Sequence, residues 1–279
     1  MSRTVLGQNF LKNKKIAEKI VEAAKVDKND VVLEVGPGKG ILTKILLQKA
    51  KKVVAVEKDE KLVRYLKDKF VHYKNLSVIH SDILKIKNFP PKADQPLAEK
   101  LKIKSYKIVA NIPYYITSHF LRKFLQLDFQ PSLMALMVQK EVAERIVARD
   151  GKESLLSISV KSYGQPKIIA KVSAKNFSPE PKVDSAILLI DNISKNFFSA
   201  EGGSASGGKI NEQKFFQLLR LGFSHKRKLL KNNLKISPEI LQKCKIPALS
   251  RAENLSLENW KCLFYKIQGA KQKNPSGLT

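Results

Sequence analysis

A β-branched run, Val31-Val32-Leu33-Glu34-Val35, breaks into Gly36-Pro37-Gly38-Lys39-Gly40 and resumes as the helical pattern Leu42, Ile45, Leu46. This succession of strand, glycine turn and helix constrains the chain more than any other stretch. Glycines are required where a backbone turns tightly, or where a ligand must approach it with no Cβ in the way. The G-x-G-x-G spacing departs from the G-x-G-x-x-G dinucleotide fingerprint, so it is weak support for pyrophosphate binding, and by itself it is equally consistent with a purely structural turn.

Three further strand ends carry polar groups. Val53-Val54-Ala55-Val56 ends on Glu57, about 20 residues beyond the glycine turn, where an acidic side chain accepts hydrogen bonds from ribose hydroxyls. A solvated strand-end carboxylate is the bland reading of any single Glu. Leu76–His80 leads to Ser81-Asp82-Ile83, a second acidic strand end. Tyr106-Lys107-Ile108-Val109-Ala110 reads as a buried strand, and Pro113 cannot continue a ladder, so Asn111 falls at its carboxyl end. Asn111-Ile112-Pro113-Tyr114 then brings an amide, a stiff carbonyl-bearing turn and an aromatic face together, a site suited to an amine on a flat ring. In open α/β sheets ligands bind at such ends.

The chain of 279 residues has 52 Lys+Arg against 25 Asp+Glu, a formal charge of +27. That excess points to a polyanionic partner, nucleic acid ahead of a membrane surface, and is silent on fold. The first residues hold no apolar stretch of signal-peptide length and nothing later approaches a membrane span, so a cytosolic protein is expected. Cys244 and Cys262 lack metal-like spacing, and reduced structural thiols are expected, with neither a zinc site nor a disulfide framework.

The remaining segments fill in the organisation. Lys14–Ala24 carries Ile16, Ile20 and Ala24 at helical spacing. Before it, Gln8-Asn9-Phe10-Leu11 reads first as a helix cap and staple. Phe89–Lys104 reads as a surface connection, Leu133–Val138 as a strand with Met134 and Met137 in the core, and Arg149–Glu153 as a polar turn. Ile168–Ser173 and Ala186–Asp191 are two more strands. Between them, Phe177-Ser178-Pro179-Glu180-Pro181 is a stiff loop whose Phe is either a lid or, more simply, a plug over core. Ser194–Gly208 has linker composition. This divides the chain into 1–193, the linker 194–208, and a helical domain 209–279 with a frayed basic tail from Gly269. In that domain Lys226-Arg227-Lys228-Leu229-Leu230-Lys231 reads as the opening of a helix, with Arg227 and Lys231 on one face.

In this order, Gln8-Asn9-Phe10-Leu11, Glu34-Val35-Gly36-Pro37-Gly38, Glu57, Asp82, Asn111-Ile112-Pro113-Tyr114 and Phe177-Ser178-Pro179-Glu180-Pro181 resemble the signatures of the small-subunit ribosomal RNA adenine dimethyltransferases. That family shares its catalytic fold with the large-subunit erythromycin-resistance methyltransferases. The resemblance covers nearly the whole chain. It implies a Rossmann-like α/β sheet of seven mostly parallel strands with an antiparallel last strand, followed by a small helical domain. It implies S-adenosylmethionine as cofactor, held by Asn9, Leu11, Gly36, Glu57, Asp82, Ile83 and Asn111, with the methionine part against Gly36, the ribose at Glu57 and the adenine at Asp82 and Ile83. Asn111, Ile112, Pro113 and Tyr114 become the catalytic turn, and Phe177 a stacking lid. Lys226, Arg227 and Lys228 match a basic stretch of the family's second domain and, with the neighbouring Arg220 and Lys231, become RNA-binding residues. The implied partner is small-subunit ribosomal RNA, within a pre-ribosomal particle, with no metal and nothing demanding more than a monomer. A large-subunit resistance methyltransferase and a non-catalytic RNA-binding assembly factor are the competing readings. The glycine-rich stretch Gly202–Gly208 departs from the family pattern.

Overall fold

The computed structural model describes residues 9–86, 104–199 and 209–273. The expected segments Phe89–Lys104 and Gly202–Gly208, together with Gln8, therefore lie wholly or almost wholly outside the described residues. The described chain divides into two compact units, one of residues 1–143 and 164–193, the other of 144–163 and 194–279.

The first unit is built on a seven-stranded sheet. Its strands are β2 (Val31–Val35), β3 (Lys52–Glu57), β4 (Leu76–His80), β5 (Lys107–Asn111), β6 (Leu133–Gln139), β7 (Gln165–Val172) and β9 (Ser185–Asp191), in the order β4-β3-β2-β5-β6-β9-β7. The first five run parallel, and β9 is antiparallel to both neighbours. Every residue of β2 and β3 is buried, which is why these runs are apolar apart from Glu34 and the end residues Lys52 and Glu57, where an alternating pattern would mark a half-exposed sheet. The chain leaves β2 toward β3 and β4, then returns to lay β5 on the other side of β2. Register pairs Val35 with Val56 and with Ala110, and Asn111 with Met137, so the carboxyl ends of the central strands lie level around that switch point.

Helices α1 (Lys14–Ala23), α2 (Ile41–Lys49), α3 (Glu60–Lys69) and α4 (Thr117–Gln126) belong to this unit. Asn13 caps α1 by accepting from the Lys15 and Ile16 amides, and Asp59 caps α3 in the same way. The cap is thus Asn13 rather than Gln8 or Asn9: Phe10–Leu11 form the short strand β1, antiparallel to β8 (Phe177–Ser178), and hold the chain extended before the helix begins.

In the second unit, α5 (Lys140–Val147) runs across the division and α6 (Leu155–Lys161) follows, a helix not expected from the sequence. Then come α7 (Glu212–Gly222), α8 (Leu230–Leu234), α9 (Pro238–Lys243) and α10 (Leu257–Lys273). Tyr163 packs with Phe198 and Phe216 and donates its hydroxyl to Glu212 at 2.6 Å, which draws 144–163 into this unit although it precedes β7 in sequence. Periodicity shows that a helix has an apolar face, and not whose core the face serves. Ser194–Ser199 is likewise packed: Phe198 is buried, and Phe197 and Phe198 join the rings of Phe215 and Phe216. Gly222 lets α7 press on Trp260, since a Cβ there would stand 2.3 Å from the indole.

Three expectations are corrected here. Lys226–Lys228 form a turn, closed by the Lys228 amide on the His225 carbonyl, so Arg227 and Lys231 share no helical face. The Asn233 side chain donates to the carbonyls of Gly222 and His225 and holds the chain out of helix until Leu230. Helix α10 continues to Lys273, past the expected fraying point. Cys244 and Cys262 form a disulfide, because the end of α9 and the second turn of α10 bring Cα atoms 18 residues apart in sequence to 5.7 Å. Spacing along the chain carries no trace of that approach.

Candidate active site

A cleft opens at the carboxyl ends of β2, β3, β4 and β5, lined among others by Asn9, Leu11, Gly36, Glu57, Asp82, Ile83, Asn111, Ile112, Pro113 and Tyr114. All of these were expected from the sequence, and the fold brings them to one side of the sheet.

The glycine turn forms its floor. Gly36 still bonds to β3 through its amide and the Val56 carbonyl, then Gly36, Gly38 and Gly40 all take positive φ, which L side chains rarely adopt. Glu57, the last residue of β3, is only 4% exposed. Its carboxylate accepts the amides of Gly38 (3.1 Å), Lys58 (2.8 Å) and Asp59 (3.0 Å). A carboxylate has roughly four acceptor sites, so a ligand hydroxyl can still bond there. Asp82 accepts the Leu84 amide at 2.9 Å and pairs with Lys58 Nζ at 3.0 Å. Burial alone would raise its pKa, but the Leu84 amide and the Lys58 ammonium outweigh that and hold it below the ordinary aspartate value.

Asn111 ends β5 with its side-chain amide at the cleft, and Nδ2 donates to the Asn9 carbonyl at 3.1 Å. Ile112 is buried and its amide bonds the Met137 carbonyl, which fixes where the turn leaves the sheet. Pro113 directs the chain into a 3-10 turn, Tyr114–Ile116. The Tyr114 hydroxyl lies 2.7 Å from Ser185 Oγ on β9, and burial raises its pKa, so the ring is held as a neutral phenol.

Phe177 is placed otherwise. At 1% exposure it belongs to the core with Leu11 and does not line the cleft. The main chain at Phe177 and Ser178 is taken up in the ladder with β1, which turns the ring inward; of the two readings, the plug is the one observed. In the second unit Arg220, Lys226, Arg227 and Lys228 are exposed and Lys231 is half-buried.

Several cleft residues were missed. Phe10, Lys39, Lys58 and Tyr115 all line it, and Tyr115 is 66% exposed. Alternation along the NIPYY stretch cannot separate its two tyrosines, because a proline-led turn obeys neither helical nor strand periodicity. Glu34, in the middle of β2, is fully buried. Burial pushes its pKa to about 8, opposed by the nearby Thr43 hydroxyl and amide, which form no hydrogen bond with it, and reinforced by the Glu57 charge.

The fold and the glycine-floored cleft are those of a Rossmann-like methyltransferase. A dimethyladenosine transferase from Plasmodium falciparum shares the architecture, with a TM-score of 0.74 and 29% identity over 93% of this chain and 98% of that one. The chain belongs to the ribosomal RNA adenine dimethylase family, whose sequence profile matches residues 1–268. Curated relatives called ribosomal RNA small subunit methyltransferase A include that of Dehalococcoides mccartyi, 42% identical over 95% of this chain and 88% of its own. That of Fusobacterium nucleatum is 36% identical over 94% and 96%. No helix among the described residues is long and apolar enough to cross a membrane.

Proposed function

We propose that the cleft transfers methyl groups from S-adenosylmethionine to N6 of adenosines in small-subunit ribosomal RNA, two per base. The observation that carries this reading is Asn111, whose Nδ2 is taken by the Asn9 carbonyl, leaving Oδ1 as the free face of the amide. An adenine N6 amine is a poor nucleophile because its lone pair is delocalised into the ring. Hydrogen-bond acceptors on its two hydrogens, Asn111 Oδ1 and the Ile112 carbonyl, favour a pyramidal nitrogen with a localised pair. After one methylation a single hydrogen remains and one acceptor suffices, so the same turn serves both transfers. No strong base is needed, since the proton becomes acidic only once the nitrogen is positively charged.

The cleft suits the cofactor by its charge. Glu57 and Asp82 would repel a pyrophosphate, whereas they match a ligand with ribose hydroxyls, an adenine amine and a positive centre. When bound, S-adenosylmethionine supplies a methyl group on a positively charged sulfur. Gly36 would pass along its methionine portion, Glu57 would accept from the ribose, and Asp82 and Ile83 would contact its adenine. Tyr114 offers the target base one stacking face, worth about 1–3 kcal/mol. The base must be unpaired or flipped out to reach it. Exposed Arg220 and Lys226–Lys228 supply phosphate contacts that carry little sequence information.

Mass analysis of ribosomal RNA nucleosides from cells lacking the protein should show N6,N6-dimethyladenosine missing from the small subunit. Its persistence would refute the assignment.

A further inference from the structure

We infer that the segment Asn9–Asn13 is a positioning element for the target amine, separate from any role it has in enclosing the cofactor. The inference rests on the reading of Asn111 as the acceptor of the N6 hydrogens.

A primary amide is nearly symmetric in shape, so rotation by half a turn exchanges its acceptor for a donor at almost no steric cost. With the NH2 group turned to the substrate, donor would face donor, and the amine would be pushed out of line. Something beside Asn111 must break the symmetry, and the Asn9 carbonyl does so: an acceptor 3.1 Å from one end of the amide makes that end Nδ2. The orienting group is a main-chain oxygen, so its position depends on how firmly its own segment is fixed.

That segment is pinned from Phe10 to Asn13, immediately after the Asn9 carbonyl. Phe10 and Leu11 pair with Ser178 and Phe177, and the Lys12 amide donates to the Asn176 carbonyl at 2.8 Å. Asn13 Nδ2 donates to Asn176 Oδ1 at 2.8 Å while Asn13 Oδ1 caps α1. Leu11 is buried with Phe177. The Phe10 ring lies so close over Gly38 that a Cβ there would be 2.9 Å from it, and Lys39 Nζ stands 5.3 Å from the ring centroid. A two-residue ladder this well anchored exceeds what a cover over a ligand requires, but it is what a fixed acceptor requires. Phe177, buried beneath the ladder, thereby acts through Leu11 and the Asn9 carbonyl on the cleft it does not line.

The test uses two variants of the full-length protein. Phe10→Ala removes the contact over Gly38; Asn176→Ala removes the acceptor for Asn13 Nδ2 from the side away from the cleft. Single-turnover methyl transfer is measured at saturating S-adenosylmethionine on small subunits from cells lacking the modification, with cofactor affinity measured by calorimetry. The Asn111 side-chain amide signals of 15N-labelled protein are followed in parallel, assigned by their absence in Asn111→Ala. We expect the saturated rate to fall about tenfold to a hundredfold in Phe10→Ala and less in Asn176→Ala, with the Asn111 amide signals shifted in both. Unchanged saturated rates and unchanged Asn111 signals, with only cofactor affinity weakened, would make the segment a cofactor clamp and overturn the inference. If Phe10→Ala fails to fold, Asn176→Ala decides by the same criteria. Full activity in Asn111→Ala would instead sink the reading of the cleft itself, an outcome distinct from the failure of Phe10→Ala and Asn176→Ala.

Discussion

The cleft and the cationic turn of the second unit handle polar groups in opposite ways. At the cleft, Glu57 is held by three main-chain amides, Asn111 by a main-chain carbonyl and Tyr114 by a buried serine. On the turn after α7, Asn233 fixes the backbone, while the side chains of Lys226, Arg227 and Lys228 stand exposed. Moving a methyl group onto a delocalised amine needs acceptors that do not rearrange as charge develops. Attracting phosphates needs only charge within reach, and long solvated side chains provide it.

The contrast can be broken most directly at Asn111. Asn111→Ala should lower single-turnover methyl transfer by about a hundredfold to a thousandfold, the loss typical of one preorganised polar partner, while calorimetry shows the cofactor still binding. Glu57→Ala should act the other way, weakening cofactor affinity by about a hundredfold. It should also lower the melting temperature, because three amides lose their acceptor at a buried position. If both variants lost affinity and neither lost rate, the cleft would have no division between holding and reacting groups.

Replacing Lys226, Arg227 and Lys228 together by Ala should reduce affinity for small-subunit RNA about tenfold or more near physiological salt. The slope of log affinity against log salt should shrink by roughly two to three, with the rate at saturating RNA unchanged. A fall in the saturated rate would show that the turn does more than attract.

A last effect touches stability alone and leaves the chemistry aside; it concerns Glu34. Its folded pKa of about 8 lies above the ordinary 4.5, so the native state keeps a proton that the unfolded chain loses. Its contribution is complete below the unfolded value and is lost as pH rises through the window from about 4.5 to 8, at about 1.4 kcal/mol per pH unit. Urea unfolding at several pH values should therefore show a slope in that window for the native chain, and a flatter one for Glu34→Gln.

The first unit was legible because its strands are runs of buried β-branched residues and its turns are punctuated by Gly36–Gly40 and Pro113. Both signals are local, and their order alone places Glu57, Asp82 and Asn111 at strand ends. What escaped depends on contacts distant in sequence. The pairing of β1 with β8, which buries Phe177, joins residues on opposite sides of most of the first unit's sheet. The aromatic cluster that claims Tyr163 and Phe198, and the meeting of Cys244 with Cys262, are equally non-local. Lys226–Lys228 misled for another reason: a good helical composition was overridden by one asparagine side chain that ties down two carbonyls.

Because β9 lies between β6 and β7, the sheet has a gap until the chain has been made through Asp191. During synthesis, α6 emerges well before the helices it packs with, and β7 must wait for a neighbour translated after it. Neither unit can finish folding while the chain is shorter than the other's nearest boundary, and a break after residue 193 would strand 144–163 without its partners. The molecule's two halves are therefore produced as interleaved pieces. A shortened or spliced version of either would have to carry residues from both sides of β7 to close its core.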